Sequence, residues 1–197
     1  MSVDLLQVLK SKGDLPLELL TRIGRSLQSQ HLRKKEFILK PGQVNDRMIF
    51  IQNGIVRAYR VTDGVEDVGW LKKEGEFIVS ISSWYSQRPS VEYIQAIEPT
   101  DIMYITRSEL RNFIKTYGEF GLTAFDFMGN VLEEWDDRAW ALRRLTAEQK
   151  IKWLIDNRPD LFQRVPAQDL ASFLGLSPAH FSRIRSLQND NRMKTAS

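Results

Sequence analysis

Residues 170–185, LASFLGLSPAHFSRIR, have the types and spacing with the clearest chemical meaning in this chain. Two helices that cross steeply need a small residue at closest approach and a glycine at the turn, and Ala171 and Gly175 provide them. Ser177 can accept a hydrogen bond from the second helix, and Pro178 suits its first position, so this helix is predicted to begin there. The apolar residues predicted to fill the wedge are Leu170, Leu174, Leu176, Phe181 and Ile184.

Such a pair of helices is typical of a helix-turn-helix, whose second helix enters the major groove of DNA. An ordinary helical hairpin on a globular protein is the alternative, but the joint presence of small residue, glycine, cap and wedge favours DNA binding. Residues 143–197 hold ten Lys/Arg and five Asp/Glu, whereas residues 1–142 hold 18 and 20. A basic C-terminal segment suits phosphate contacts. The side chains expected to project away from the wedge are Ala179, His180, Ser182, Arg183 and Ser186.

Composition limits the class of protein. The 197 residues are 42% hydrophobic and 27% charged, with no apolar run of membrane-spanning length. The first residues lack the basic-then-apolar order of a secretion signal, so we expect a cytoplasmic protein with no membrane partner. The absence of cysteine excludes disulfides, thiolate nucleophiles and cysteine-ligated iron–sulfur clusters.

Residues 36–106 are predicted to form short strands after a helical segment at residues 1–35. Apolar runs alternate there with Pro41-Gly42, Asn53-Gly54 and Asp63-Gly64. Asn-Gly and Asp-Gly favour two-residue hairpins, because both turn residues must take a positive φ. Many short strands at this spacing form a barrel or jelly roll. The predicted fold class is α+β, with an N-terminal double-stranded β-helix, a long helix and a C-terminal helix-turn-helix of winged-helix-like form.

The long helix is predicted after a shorter one capped by Thr106 and Glu109. Its apolar residues recur every seven positions in two offset series, as in a coiled-coil seam. A helix buried against its own barrel also needs an apolar stripe, but the strict repeat favours a partner helix, most simply in a homodimer. Two-fold symmetry would set two recognition helices about 34 Å apart, one turn of duplex. The predicted dimer residues are Phe125, Met128, Leu132, Trp135, Ala139 and Leu142.

Three domains are predicted from these segments. Residues 1–117 would form a β-roll with flanking helices, residues 118–144 the dimerisation helix and hinge, and residues 145–197 the helix-turn-helix domain. Thr146 with Gln149 predicts a capped helix at the start of the last domain.

The order of N-terminal helix, glycine-punctuated β-roll, heptad helix and terminal helix-turn-helix resembles the CRP/FNR family of bacterial transcription regulators. Residues 145–185 look especially like the group found in Bacteroidetes. The resemblance implies a β-roll that binds an effector, often cyclic AMP, a dimerising long helix, and a C-terminal domain that binds promoters and contacts RNA polymerase. For this chain it implies double-stranded DNA, a second copy and an unidentified small-molecule effector as partners.

The chain departs from the family's cyclic-nucleotide cassette. The start of the cassette is present as residues 75–78, GEFI, but Val79-Ser80 replaces the Gly-Glu that binds the ribose hydroxyl, and Ser90-Val91 replaces the Arg-Ser that holds the phosphate. A partly buried phosphate without its guanidinium would be uncompensated, so cyclic AMP is not expected to bind in the usual way. Arg88 could replace that arginine only after a shift of its loop. The alternative is that Arg88 is a solvent-exposed loop residue with no ligand. The candidate effector pocket comprises Gly75, Glu76, Phe77, Ser80, Arg88 and Ser90.

The second helix also differs from the family pattern. Members that bind the best-known DNA motif have Arg and Glu where this chain has Pro178 and Ala179, whereas their later arginine is matched by Arg183. We hypothesise that Arg183 contacts the O6/N7 edge of guanine; a solvated or phosphate-bound side chain is the alternative. His180 and Ser182 would add base or phosphate contacts, and Arg185 a backbone contact or an ion pair. The candidate DNA-binding residues are Ser177, Ala179, His180, Ser182, Arg183 and Arg185.

Members of the family usually have a β-wing beside the second helix, but few residues remain to form one in this chain. The segment after Leu187 is short and polar, so a wing would have to come from residues 159–166 or be absent.

Two other functions are open from the sequence. A cupin-type metal enzyme needs imidazoles clustered inside the barrel, whereas His31 is expected before the barrel and His180 beyond it; we therefore predict no enzyme, metal or cofactor. An effector-independent dimer that binds DNA or acts as a scaffold is the second alternative. Five aromatic residues of the β-roll could line an apolar ligand pocket, but in an effector-independent protein they would only pack the core. They are Trp70, Phe77, Trp84, Tyr85 and Tyr93.

Overall fold

The computed structural model describes residues 3–12 and 15–195, with side chains given for these residues apart from Lys12 and residues 187–195. Its N-terminal helices are α1 (Leu5–Lys12) and α2 (Leu17–Ser26). Helix α2 buries an apolar face of Leu19, Leu20 and Ile23, as expected for an amphipathic helix on a core.

The helix predicted through residue 35 ends earlier, and residues 28–32 form strand β1 (Gln28–Leu32). This part of the prediction is wrong because β1 pairs along its full length with the last strand of the roll, as in the pairs Gln28↔Tyr104 and His31↔Asp101. Only Leu32 of β1 is buried, so β1 has little apolar periodicity to reveal it. His31 therefore lies within the roll and not before it, where its exposed Nδ1 is 2.7 Å from an Asp101 carboxylate oxygen.

Seven further strands follow β1: β2 (Phe37–Leu39), β3 (Arg47–Asn53), β4 (Val56–Thr62), β5 (Val65–Lys72), β6 (Phe77–Ile78), β7 (Tyr93–Ala96) and β8 (Thr100–Thr106). The strands within residues 28–106 form two antiparallel four-stranded sheets with the strand orders β1-β8-β3-β6 and β2-β7-β4-β5. This is the arrangement of a jelly roll, so the predicted α+β class with an N-terminal β-roll is confirmed. The aliphatic core lies between the sheets and includes Leu39, Ile51 and Ile94.

The two predicted hairpins have different outcomes. Asp63 and Gly64 have φ values of 52° and 78° and join the paired strands β4 and β5, so that hairpin is confirmed. Asn53-Gly54 instead connects strands of different sheets, and the predicted hairpin is wrong. Gly54 has φ of 95°, and a Cβ there would lie 2.4 Å from Thr100 Oγ1, so the crossing between sheets requires a glycine.

Helices continue the chain after the roll. Helix α3 (Ile81–Ser86) interrupts the strands, and α4 (Arg107–Thr116) begins with the predicted capping box of Thr106 and Glu109. Helix α5 (Gly118–Arg144) has 27 residues. Four further helices follow: α6 (Ala147–Asn157), α7 (Pro159–Arg164), α8 (Ala167–Phe173) and α9 (Pro178–Thr195).

The C-terminal helices have no β-wing beside them in the described part of the chain, residues 145–195. The segment that could have supplied a wing, residues 159–166, instead contains α7, which begins at Pro159. The described residues of this segment therefore do not support the predicted winged-helix-like form, which requires strands beside the helices.

Helices α6–α9 pack directly on the outer face of the β4–β5 hairpin. Tyr59 and Val68 of the roll share one buried core with Leu154, Leu170 and Phe181 of the helices. The C-terminal segment and the roll are therefore held by a common apolar interface, in addition to the covalent connection through α5.

Candidate functional site

Helices α8 and α9 are joined by a tight turn with the predicted local features. Gly175 has φ of 63° in this turn, a conformation that favours glycine. Helix α9 begins at Pro178, and the Ser177 hydroxyl oxygen accepts a hydrogen bond from the His180 amide at 3.3 Å. The small Ala171 is completely buried where the helices meet. Of the predicted wedge residues, Leu176 is half-buried and the others are buried, namely Leu170, Leu174, Phe181 and Ile184.

The candidate DNA-binding side chains lie on one exposed stretch at the start of α9. Ser177, Ala179, Ser182 and Arg183 are exposed, and His180 is half-buried. Arg185 is half-buried and its guanidinium lies 5.0 Å from the ring centre of Phe162, so it is held partly against α7. The structure thus brings the six predicted residues to the start of one helix, with four of them exposed and His180 and Arg185 half-buried.

Helix α5 has apolar residues on two sides. Phe125 and Leu132 are 76% and 63% exposed, although they belong to the predicted seam. Trp135 is half exposed, and its ring contacts Trp70 of the protein's own roll edge-on at 5.2 Å. The other three predicted dimer residues, Met128, Ala139 and Leu142, are half-buried. One side of α5 therefore packs on the roll, and the other leaves large apolar side chains in solvent.

Two apolar cavities lie along α5. The large cavity, of about 630 Å³, is lined by residues of α1, α4 and α5 and by Gly75, Glu76 and Phe77 of the roll. The tryptophan cavity, of about 500 Å³, is lined among others by Trp70 and Trp84. Both volumes lie in the range of small-molecule sites. Phe77 and Trp84 thus line cavities besides packing, in keeping with an apolar ligand pocket.

Two of the remaining candidate effector residues contact each other, and the third lies apart from them. Ser80 and Ser90 are buried, and their hydroxyl oxygens are 3.0 Å apart. The Ser80 hydroxyl donates to a carboxylate oxygen of Glu92 at 2.6 Å, and Arg60 pairs with the same carboxylate. Arg88 is exposed on the loop after α3, which agrees with the alternative stated for it. A carboxylate that is itself paired with Arg60 therefore lies beside the two serines that replace cassette residues.

A buried ion pair joins the roll to α8. Arg57 of β4 donates to Asp169 at 2.7 Å, and their side chains are only 13% and 10% exposed. Burial raises the pKa of Asp169, and the Arg57 charge opposes that rise. Ser172 completes the contact, because its hydroxyl oxygen accepts from the Val68 amide at 2.9 Å. Helix α5 contributes Arg138, which donates to the Phe173 carbonyl at 2.8 Å.

A second group of charges connects the large cavity to the C-terminal helices. Glu134 of α5 pairs with both Lys72 of the roll and Arg158, the residue between α6 and α7. Arg158 also donates to both carboxylate oxygens of Glu76, at 2.8 and 2.9 Å. Since Lys72, Glu76 and Glu134 all line the large cavity, its wall is bonded directly to the segment that carries α8 and α9.

Glu74 and Arg164 form a further ion pair between roll and helices, and it predicts a pH effect. Burial raises the pKa of Glu74, but hydrogen bonds from Arg164 and the Gly54 amide lower it more, from 4.5 to about 2. Because the folded pKa is below the unfolded value, this carboxylate stabilises the fold above about pH 4.5 and loses that contribution as the pH falls towards 2. We expect Glu74→Gln to flatten the acid-side loss of unfolding free energy, measured by urea denaturation. The exposed Glu133→Gln serves as control, and equal pH dependence in both variants would contradict the assignment.

The sequence did not point to Arg57, Asp169, Arg158 or Glu134. The local pattern indicated the opposite, because polar and apolar residues alternate in much of β4, as in a strand with one face in solvent. What covers the outer face depends on partners about a hundred residues away, such as Asp169, 112 residues from Arg57.

The described residues do not hold three or more His, Asp or Glu side chains arranged as a metal site. No helix of residues 3–12 and 15–195 is long and apolar enough to cross a membrane.

Comparison with known proteins supports this architecture. Residues 29–117 match the family model of the cyclic nucleotide-binding domain. No curated protein sequence matches the chain. FixK2 of Bradyrhizobium japonicum is similar in structure, with a TM-score of 0.71 and 19% identity over 84% of this chain and 85% of that one. CLP of Xanthomonas campestris, a c-di-GMP-responsive global regulator, has a TM-score of 0.69 and 17% sequence identity, over 89% of this chain and 93% of that one.

A CooA mutant of Carboxydothermus hydrogenoformans gives a TM-score of 0.69 and 19% identity over 98% of this chain and 86% of that one. The likeness to all three structures extends past the roll and into the C-terminal helices. The chain therefore has a match to the cyclic nucleotide-binding domain at residues 29–117, within a fold that it shares over most of its length with FixK2, CLP and CooA.

Proposed function

We propose that the protein is a transcription regulator of the CRP/FNR type that binds DNA as a homodimer through α8 and α9. The observation that carries this proposal is the exposed row at the start of α9, with Ser182 and Arg183 exposed on a helix anchored by buried Phe181 and Ile184. A rigid helix with a polar, positively charged outer face at its N-terminal end fits the geometry of a recognition helix. RNA polymerase is a further partner that the resemblance implies.

Dimerisation is proposed through the exposed side of α5. Phe125 and Leu132 are seven residues apart and project from the same face of the helix, with Leu122 at 68% exposure nearby. A second copy related by two-fold symmetry would cover these side chains and would set two copies of α9 on one side of the assembly.

The roll is proposed to be an effector domain that does not bind cyclic AMP in the usual way. Glu92 accepts a hydrogen bond from the buried Ser80 hydroxyl and pairs with Arg60, so a cyclic phosphate beside these groups would be repelled by the carboxylate and would have to compete with it for that arginine. The bonds from Glu76 and Glu134 to Arg158 provide a route by which a ligand in the large cavity would change the position of the C-terminal helices.

The second candidate function is that of an effector-independent dimer that binds DNA or acts as a scaffold. The Ser80–Ser90–Glu92 cluster favours it, because these residues bond to one another. In that case the cavities would be packing defects and the dimer would bind DNA constitutively. A screen for ligands that raise both the melting temperature and the DNA affinity distinguishes the two functions. An effector-dependent regulator requires at least one such ligand, whereas an effector-independent protein has none. An enzyme is not part of the proposal.

Replacing Arg183 tests the proposed recognition. We expect Arg183→Ala to weaken binding to the preferred DNA site by about 1–3 kcal/mol, with little change on random duplex, because a base contact acts only on its cognate base. Fluorescence anisotropy titrations with both duplexes measure the two losses.

The matched control is Arg33→Ala, which removes an exposed arginine from the turn between β1 and β2. It should leave both affinities unchanged. If Arg183→Ala weakens the two duplexes equally, Arg183 contacts phosphate, and if it affects neither, α9 is not the recognition helix.

A further inference from the structure

The large cavity has walls of hydrocarbon contributed by three elements outside the cyclic-nucleotide cassette. Leu5 and Leu9 come from α1, Leu110 and Ile114 from α4, and Phe120 from α5. Its volume of about 630 Å³ is enough for a small organic molecule. An apolar cavity of this size releases ordered solvent when an apolar chain enters it, so its composition favours an alkyl or aryl group.

Two arginines stand at one side of this cavity. Arg107 and Arg111 line both the large cavity and an adjacent polar cleft of about 380 Å³, which also includes Lys115. They are four residues apart on α4 and so lie on the same face of the helix. Within the described part of the chain, neither guanidinium has a carboxylate oxygen within 4.0 Å, and the nearby Asp46 pairs with Arg47 instead.

Three acidic residues line the large cavity, and two of them are engaged elsewhere. Glu76 and Glu134 are bonded to Arg158, and Glu134 also to Lys72. The third, Asp126 of α5, is exposed and within the described residues has no cation within 4.0 Å, so it does not pair with Arg107 or Arg111. Guanidinium groups form two parallel hydrogen bonds with a carboxylate, which matches such a site to an organic acid.

We propose that the large cavity binds an unbranched fatty acid, with the alkyl chain among Leu9, Ile114 and Phe120 and the carboxylate at Arg107 and Arg111. The pairing of an apolar cavity with unpartnered cations at its edge matches both ends of such a ligand.

Dodecanoate, used below its micelle concentration, tests the proposal by isothermal titration calorimetry on the full chain. We expect saturable binding with a Kd on the order of micromolar, weakened roughly tenfold or more in the double variant Arg107→Ala/Arg111→Ala. The exposed Arg33→Ala should bind as the unmodified protein does. Dodecanol, which lacks the charge, should bind equally to the protein and to the double variant.

A cavity-filling variant locates the binding. Gly121 lines the large cavity, and a Cβ at this position would be 3.6 Å from Ile114 Cγ2, in ordinary contact. Gly121→Leu should therefore retain a cooperative thermal transition but lose both dodecanoate and dodecanol. Absence of saturable dodecanoate binding to the unmodified protein, equal affinity in the double arginine variant, or retained binding in Gly121→Leu would each overturn the proposal. None of these readouts involves DNA, so their failure is distinct from failure of the proposed regulator function.

Discussion

The double substitution Phe125→Asp/Leu132→Asp should convert the protein from dimer to monomer and reduce its affinity for the preferred DNA site by at least about a hundredfold. The two side chains are 76% and 63% exposed in one protomer, so charge there costs the isolated fold little. In a two-fold assembly the same carboxylates would face each other across an apolar seam. Loss of the dimer removes the gain from linking two half-site contacts. Sedimentation equilibrium and anisotropy titrations measure the two effects.

The matched control uses exposed apolar residues away from α5. Leu17 and Val65 are 75% and 66% exposed, and Leu17→Asp/Val65→Asp should leave mass and DNA affinity unchanged. A dimer that survives the α5 substitution, or an equal effect of the control, would mean that the copies associate through another surface.

Replacing Arg57 should produce the largest loss of stability among single charge substitutions. Arg57→Ala leaves the Asp169 carboxylate, with 10% of its side chain exposed, without its main partner. Breaking such a buried pair costs about 3–5 kcal/mol, because the remaining charge is desolvated. Urea denaturation followed by tryptophan fluorescence measures the change in unfolding free energy.

Two further variants separate the ion pair from general effects of mutation. Lys152→Ala removes a pair whose side chains are 71% and 53% exposed, and it should cost no more than about 0.5 kcal/mol. Replacing both partners, as Arg57→Met/Asp169→Leu, should recover most of the stability, since apolar groups fit the shared core. A loss for Arg57→Ala no greater than that for Lys152→Ala would show that the helices do not depend on this contact.

Local features of the fold could be predicted from sequence because they depend on neighbouring residues. The start of α9 at Pro178, the Ser177 cap and the Asp63-Gly64 turn each follow from side-chain and φ preferences within four residues. Strand β1 could not be predicted in this way, because its polar sequence becomes a strand only through pairing with β8. Asn53-Gly54 has hairpin residues, but its strands enter different sheets.

The candidate site was predicted less completely than the fold. Periodicity identified the apolar residues of α5 but could not assign each to the roll or to a partner, and Trp135 packs on Trp70 although it shares the seven-residue repeat with exposed positions. The contacts of Arg57 and Arg158 join residues far apart in the chain. Such pairs leave no local pattern, so they become visible only in the folded structure.

The most direct test of the account is selection of bound sequences from a random pool of duplex DNA by the unmodified protein. Two copies joined along α5 and presenting α9 from the same side predict enriched sites that are inverted repeats, with half-site centres about 34 Å apart, one helical turn. A pool that shows no enrichment, or an enriched site with no repeat that a single copy binds, would contradict the account.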